Sequence, residues 1–556
     1  MEKDRIPFSV CGSYFVVSLV GGGLAIRNIS GDAPTKEVLL VELLRAGAAL
    51  PFVPEHGDGL LRLVADGAVV ELCFEDLDSL RLRGEGCQLR LRTAEGVVYG
   101  CGGHITPQRW LFANYGCRVN VVLEALRGTM EVADTWDGAN STGFAAVFGA
   151  AEGPFEAAME LYRGPSRAQR EHGMPFEDCA ARWQRSFAEY LAKTVAVPAP
   201  YEEARRWAAY LNWSSIVAPE GLMGRRGMYM SKNWMTNIWS WDHCFNAMAL
   251  AYANPELAWE QIMVMFDRQD PSGALPDSFN NSAEVWMFCK PPIHGWAIRW
   301  MFAHNPAFGI EHIRQIYQPL CRWTDWWFRE RDFDRDGMPQ YHHGNDSGWD
   351  NSTVFAQGVP VESPDLGAFL ILQMDVLADF AGQLGLVEEA AQWQARSDRL
   401  LGLFAEHFVL PDGRLTARLS GSHRTVENQS LLPYLALVLG PRLPDAVRRQ
   451  AVEHLRQSGL ITPYGLATEA PQSPCYQPDG YWRGPIWAPS SMLMIDGLAA
   501  CGETELARTL ARAFADLCAS QGFAENFDAL TGHWLRDPAY TWTSSVFLML
   551  AHEYLG

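Results

Sequence analysis

The 556-residue chain contains no run of eighteen apolar residues, which excludes a membrane-spanning helix. It also lacks any long basic run to offset a formal net charge of −20, the balance of 45 Lys and Arg against 65 Asp and Glu. Nucleic acid and anionic membranes are therefore excluded as partners, whereas an acidic surface suits a neutral ligand such as a sugar. The 12 Cys are scattered from Cys11 to Cys518, with no CxxC pair and no Cys/His cluster at zinc spacing. They read as buried reduced thiols, not as a disulfide framework. Met1-Glu2-Lys3-Asp4-Arg5 leads into no apolar segment of signal-peptide length, so a cytoplasmic protein is expected. Gly21-Gly22-Gly23 lacks the Lys and the strand–loop–helix context of a phosphate loop and reads as a bend. The adjacent side chains of His342-His343 diverge, and no helix spaces a carboxylate toward them, so no catalytic metal is expected.

What the chain has in excess is tryptophan, 21 residues in all. An indole is costly in a core because its N–H needs a partner. The excess points either to flat rings stacked against sugar faces or to large helical cores that absorb them.

The first 150 residues read as β-structure. Val70, Leu72 and Phe74 alternate with polar neighbours. Leu80-Arg81-Leu82-Arg83 and Leu89-Arg90-Leu91-Arg92 alternate strictly around Gly84-Glu85-Gly86-Cys87, which predicts a hairpin with a buried Leu face and a wet Arg face. Many short strands at this spacing predict a β-sandwich over 1–154. From Phe155 to Leu191 the apolar residues follow helical spacing, and Val195-Ala196-Val197-Pro198-Ala199-Pro200 closes a helical linker over 155–200. Beyond Tyr201 helical stripes recur to the C-terminus, for example Leu370, Met374, Leu377, Phe380 and Leu384, ended by Gly385. Without a short repeat, about a dozen such helices predict a closed helical toroid over 201–556, not a solenoid. The loops between them are long and rich in Trp, Gly, Pro, Asn and Asp, as at 268–296 and 334–366, and loops of more than ~15 residues in a compact domain are usually functional.

Four loop clusters pair aromatic rings with carboxylates, amides or Arg. They are Trp239-Ser240-Trp241-Asp242-His243, the stretch from Gln269-Asp270 to His294-Gly295-Trp296, Ser347-Gly348-Trp349-Asp350-Asn351-Ser352, and Tyr481-Trp482-Arg483-Gly484-Pro485-Ile486-Trp487 with Glu525. Sugar sites need this mixture, since rings cover C–H faces while polar groups fix hydroxyls. Asp350 beside an indole is partly desolvated, which raises its pKa and suits it to donate a proton near neutrality. Glu525, in Ala524-Glu525-Asn526-Phe527-Asp528, is the candidate partner that stays ionised and activates water, the pairing that glycoside hydrolysis needs. Read singly, Asp350 also fits a helix N-cap and Glu525 a surface loop carboxylate. Asp332, Asp334 and Asp336 before Gly337 fit either a solvated turn or the start of a calcium loop, with no Glu at EF-hand spacing to close it.

With these motifs assembled, residues from about 200 onward resemble the clan of inverting (α/α)6-barrel glycosidases. That clan contains the glycoside hydrolase family 63 α-glucosidases, the family 37 trehalases and the mannosylglycerate and glucosylglycerate hydrolases. Five short signatures in the family's order carry the resemblance: Trp239-Ser240-Trp241-Asp242, Pro291-Pro292-x-His294-x-Trp296, Ser347-Gly348-Trp349-Asp350-Asn351-Ser352, Tyr481-Trp482-Arg483-Gly484-Pro485-Ile486-Trp487, and Glu525-Asn526-Phe527 with Thr531-Gly532. The resemblance implies an N-terminal antiparallel β-sandwich followed by a C-terminal (α/α)6 barrel. It implies Asp350 as general acid and Glu525 as general base, with no metal or cofactor in the chemistry. The sugar subsite would be lined by Trp239, Trp241, Asp242, Gln269, His294, Trp296, Trp349, Tyr481, Trp482, Arg483, Gly484 and Trp487. The implied activity is inverting, exo-acting removal of a terminal α-linked glucose from a small glucoside. The alternatives are mannosylglycerate, glucosylglycerate or trehalose hydrolysis, or a sugar phosphorylase, which would need a cationic or Ser/Thr-rich pocket in place of Glu525. Two departures stand out: Lys290 occupies the place of a Gln before Pro-Pro, and Asp346 the place of a Glu before Ser-Gly-Trp-Asp. Either could retune which hydroxyl or acidic leaving group is recognised.

Overall fold

Alternating apolar residues in the first third of the chain form two antiparallel sheets packed face to face. The structure, a computed structural model, describes residues 5–31, 33–94, 99–149, 153–164 and 170–556. One sheet runs Phe15–Val20, Gly23–Asn28, Glu37–Arg45, Gln88–Arg92, Ser141–Phe148, Met130–Trp136, with Ala48–Leu50 paired to Glu37–Arg45. The other runs Gly100–Thr106, Arg109–Asn114, Val119–Arg127, Phe155–Tyr162, Ser79–Glu85, Ala68–Asp76, Leu61–Ala65, Val53–His56. Inward residues such as Leu72, Leu82, Leu89, Leu91, Phe112 and Val121 fill the space between them.

Two local expectations are corrected here. Ser79–Glu85 and Gln88–Arg92 are not a hairpin, because each belongs to a different sheet. The chain crosses between sheets at Gly86, whose φ is 76° and where a Cβ would lie 2.3 Å from the Gly67 carbonyl oxygen. Nor is the arginine row simply wet, since Arg81 is buried against Glu75 and Glu156, while Arg90 and Arg92 pair with Glu42. Second, Phe155–Tyr162 is a strand between Val119–Arg127 and Ser79–Glu85, and the helix begins only at Phe176. This central strand is buried on both faces, so its apolar residues do not alternate with polar ones and period alone could not separate strand from helix.

The rest of the chain is an (α/α)6 barrel. Six inner helices, Asp242–Ala251, His294–His304, Pro364–Gln383, Leu432–Arg442, Ala488–Ala500 and Thr541–Leu555, touch in that order and close into a ring. They are apolar nearly all round, as helices buried on every side must be. Six others, Glu202–Ser215, Pro255–Phe266, Ile310–Glu330, Val387–Phe408, Asp445–Gln457 and Thr504–Gln521, wrap the outside, and several are clearly amphipathic. Inner-to-outer turns are short (252–254, 305–309, 384–386, 443–444 and 501–503), so they leave no room for a site. The outer-to-inner loops, 216–241, 267–293, 331–363, 409–431, 458–487 and 522–540, are long. Strict in–out alternation puts all six at one end of the barrel. All five signatures of the resemblance fall in these loops or in the first turn of the inner helix that follows.

Candidate active site

The segment around Asp350 is shaped by what each neighbour permits. Gly348 has φ 74°, a left-handed conformation that costs an L side chain strain, and a Cβ there would lie 2.5 Å from the Trp241 ring. Glycine thus lets Trp241 lie against the backbone. Trp349 is wholly buried and stacks on Trp482 at 4.7 Å, and Trp482 stacks on Trp487 at 4.0 Å with planes only 8° apart. Trp542 meets both Trp241 and Trp487 edge-on. Five indoles therefore form one wall, drawn from loops far apart in the chain.

Asn351 and Arg483 join the loop carrying Asp350 to the loop carrying Tyr481. The Asn351 side chain donates to the Gly480 carbonyl at 3.0 Å and accepts from the Trp482 amide at 3.0 Å, while Arg483 Nε donates to the Asn351 carbonyl at 2.6 Å. Gly484 has φ 154°, and its amide donates to Thr468 Oγ1 at 3.1 Å; a Cβ there would strike the Gln477 carbonyl oxygen at 2.3 Å. Tyr481 is held at φ 62° with its carbonyl accepting from Trp487 Nε1 at 2.9 Å. Tyr481 neighbours both Asp350 and Glu525 and draws the pKa of each down.

Both carboxyls are nevertheless held above their ordinary values. For Asp350 the cause is burial, opposed by the Lys290 ammonium and reinforced by Asp277. Glu525 is 2% exposed, and burial with the nearby Asp537 carboxylate raises it to about 7. The backbone of Glu525 is fixed by its amide donating to the Asp537 carbonyl at 2.7 Å. Asp242, the first residue of its inner helix, is pushed well above the usual carboxylate range by burial, with Lys290 drawing it down and Asp277 and Asp350 pushing it up. Lys290 thus faces Asp242, Asp277 and Asp350 together. It sits 2.9 Å from Asp277 and donates to the carbonyl and side-chain oxygens of Asn345.

The structure therefore gathers Trp241, Asp242, Trp349, Asp350, Tyr481, Trp482, Arg483, Gly484, Trp487 and Glu525. Trp239 is half-buried in the short strand Ile238–Trp239, its carbonyl accepting from His243 Nδ1 at 2.9 Å. Three other named residues are engaged elsewhere. The Gln269 amide bonds the carbonyls of Gly273 and Pro319 and accepts from Arg322. The His294 ring packs among His243, Phe266 and Trp323, and Trp296 Nε1 donates to Asp496 at 2.6 Å. Asp346 is also spent on structure, accepting from the amides of Cys289 at 3.1 Å and His342 at 2.9 Å while 1% exposed. Asp277, Asn351, Asp537 and Trp542 were given no role by sequence reasoning. Asn351 alone lay inside a recognised motif, and its joining role depends on a contact across more than 120 residues.

The fold, with carboxyls and indoles converging at one end of the barrel, places the protein among the (α/α)6-barrel glycoside hydrolases. A profile described as the mannosylglycerate hydrolase MGH1-like glycoside hydrolase domain matches residues 235–543, and the chain belongs to that family. It is 24% identical over 442 residues to the mannosylglycerate hydrolase of Rubrobacter radiotolerans, covering 60% of this chain and 97% of that protein. It is 22% identical over 405 residues to the glucosylglycerate hydrolase of Mycolicibacterium hassiacum, covering 56% and 91%. Among solved structures, the glycoside hydrolase family 63 mannosylglycerate hydrolase of Thermus thermophilus in complex with glucose aligns with TM-score 0.54 at 19% identity, over 61% of this chain and 98% of that one. A bacterial glucoamylase complexed with acarbose aligns with TM-score 0.70 at 12% identity, over 99% and 94%, so its fold includes the sandwich. Among the described residues no helix is long and apolar enough to cross a membrane.

Proposed function

We propose that the protein is an inverting exo-hydrolase that releases one α-linked hexose from a small soluble glycoside, with Asp350 as general acid and Glu525 as general base. The observation that carries this reading is that two buried carboxyls, 175 residues apart in the chain, are brought to one end of the barrel beside an indole wall, with Tyr481 lowering the pKa of each. Asp350 protonates the glycosidic oxygen as the bond to the anomeric carbon breaks. Glu525 takes a proton from the water that attacks the opposite face, giving a product of inverted configuration. The stacked indoles form a rigid apolar backing to the site that keeps bulk water out, which strengthens every charge interaction within. Lys290 balances the carboxylates around the sugar subsite.

Glucose is the sugar expected from the family-63 resemblance. Glycerate as aglycone is the second reading, favoured because relatives matched over most of their length are named mannosylglycerate and glucosylglycerate hydrolases. Incubation with α-glucosides, α-mannosides and both glycerate conjugates, with NMR of the first-formed anomer, tests substrate and stereochemistry together; a retained configuration sinks the proposal. The roles are separated with an α-glycosyl fluoride, whose leaving group needs no proton. Asp350→Asn should lose about 10³-fold or more on the natural glycoside but far less on the fluoride, whereas Glu525→Gln should lose activity on both. The opposite pattern would exchange the two assignments.

A further inference from the structure

A second group of chemistry-bearing side chains converges at the base of the loop that carries Asp350. Asp334 and Asp336 come from the Asp332–Gly337 turn and Glu362 from the short strand Val361–Glu362. His407 comes from the end of helix Val387–Phe408, and His423 from the turn between strands Arg418–Leu419 and Arg424–Thr425. His423 Nε2 lies 3.0 Å from Asp334 Oδ2, 3.4 Å from Asp336 Oδ2 and 4.0 Å from Glu362 Oε2. Asp334, Asp336, Glu362 and His423 each offer one ligand atom, and these four atoms all lie within 4.8 Å of one another.

Glu362 adds an independent sign. It is 0% exposed; Oε2 accepts from His407 Nε2 at 2.6 Å, while Oε1 is buried with no hydrogen bond at all. A buried carboxylate oxygen left unpaired is costly unless a cation faces it. Among the described residues no Arg or Lys pairs with Asp334, Asp336 or Glu362. The Arg418 guanidinium donates to the backbone carbonyls of His407 and His423 instead.

We propose that Asp334, Asp336, Glu362 and His423 bind a divalent transition-metal ion, with His407 holding Glu362 in place through its hydrogen bond. Calcium takes oxygen ligands, whereas one imidazole among carboxylates suits Zn2+ or Mn2+. The hydrogen bond from His407 to Glu362 is the kind of outer contact that fixes a ligating carboxylate. The ion's place is structural. Tyr341 and Val361 are paired through both amides, at 2.8 and 2.9 Å, and so close the neck of the segment that carries Asp350. The metal ties the turn just before that neck to the strand at its end and to the hairpin beyond.

The test uses the full chain, freed of metal with EDTA and titrated with ZnCl2, MnCl2 or CaCl2 under equilibrium dialysis, with Tm followed in parallel. One equivalent of Zn2+ or Mn2+ should bind and raise Tm, and Co2+ in the same site should give visible d–d absorption bands. His423→Gly keeps the fold, because the φ of 51° at this position suits glycine, and should weaken binding by at least about tenfold. Asp336→Asn should do the same. The proposal is overturned if no stoichiometric uptake occurs, if Ca2+ binds as tightly as Zn2+ and Mn2+, or if both variants bind like the parent. Binding and Tm are read without glycoside turnover, so failure here leaves the hydrolase reading standing, and the reverse also holds.

Discussion

Glu525 shows how burial sets both chemistry and stability at one residue. In the unfolded chain its carboxyl titrates near the ordinary 4.5, and in the folded protein near about 7. Below 4.5 both states hold the proton and burial of the group costs little. Between 4.5 and about 7 only the folded state holds it, so stability falls as pH rises, and above about 7 the full cost remains, about 3 kcal/mol. Glu525→Gln should therefore have a higher Tm than the parent at pH 8, with the gap closing toward pH 4.5; a gap constant with pH would contradict a buried, ionising carboxylate. The same ionisation governs the proposed base. kcat/KM should climb with pH through the region of about 7, and a profile flat between about pH 6 and 8 would remove Glu525 from that role. The resemblance alone could assign the two roles, but it gave no hint that Tyr481 faces both carboxyls.

At the scale of elements, the acid loop depends on one glycine more than on any polar contact. Gly348→Ala meets two faults, a left-handed φ and a Cβ 2.5 Å from Trp241, neither relieved without moving a fully packed indole. Expected are a loss of about 1–3 kcal/mol in unfolding free energy and a fall in kcat of tenfold or more, checked by denaturant melts and steady-state kinetics. Normal turnover in this variant would show that the loop can shift without disturbing Asp350. The stack of Trp349, Trp482 and Trp487, none of them more than 1% exposed, places these rings of the tryptophan excess in the core. Motif order was readable in the chain. Which motif residues face inward was not: His294 and Trp296 open an inner helix at the same barrel end, yet the His294 ring packs among His243, Phe266 and Trp323 and Trp296 Nε1 bonds Asp496.

At the scale of the whole molecule, the sandwich buttresses the barrel through buried polar contacts. Lys232, drawn down to about 7 by burial, donates to the Ser13 carbonyl at 2.6 Å and Ser9 Oγ at 3.0 Å. Arg27 of the sandwich donates to the Asn233 carbonyl at 2.8 Å, and Asn233 in turn bonds Asp537, whose carbonyl holds the Glu525 amide. His56 of the sandwich packs edge-on against Trp207 and Tyr210 of the first outer helix. A fragment beginning at residue 175 would uncover this face and leave Lys232 without Ser9 and Ser13. It should aggregate or melt well below the full chain in calorimetry and show little activity. A fragment as stable and active as the full chain would refute the buttressing role.

By itself the sequence determined the classes of element, their order and the motif residues, because period, turn chemistry and short aromatic–carboxylate signatures are local properties of the chain. It could not separate a doubly buried strand from a helix at Phe155–Tyr162, nor see that strands with matching alternation belong to different sheets, since both depend on what lies across the core. Only the tertiary structure decided which side chains meet. Tyr481 is brought to Asp350 and Glu525, Lys290 to three carboxylates, and Glu362, His407 and His423 to the Asp334–Asp336 turn. Those meetings are set by closure of the helical ring, which puts six distant loops at one end of the barrel.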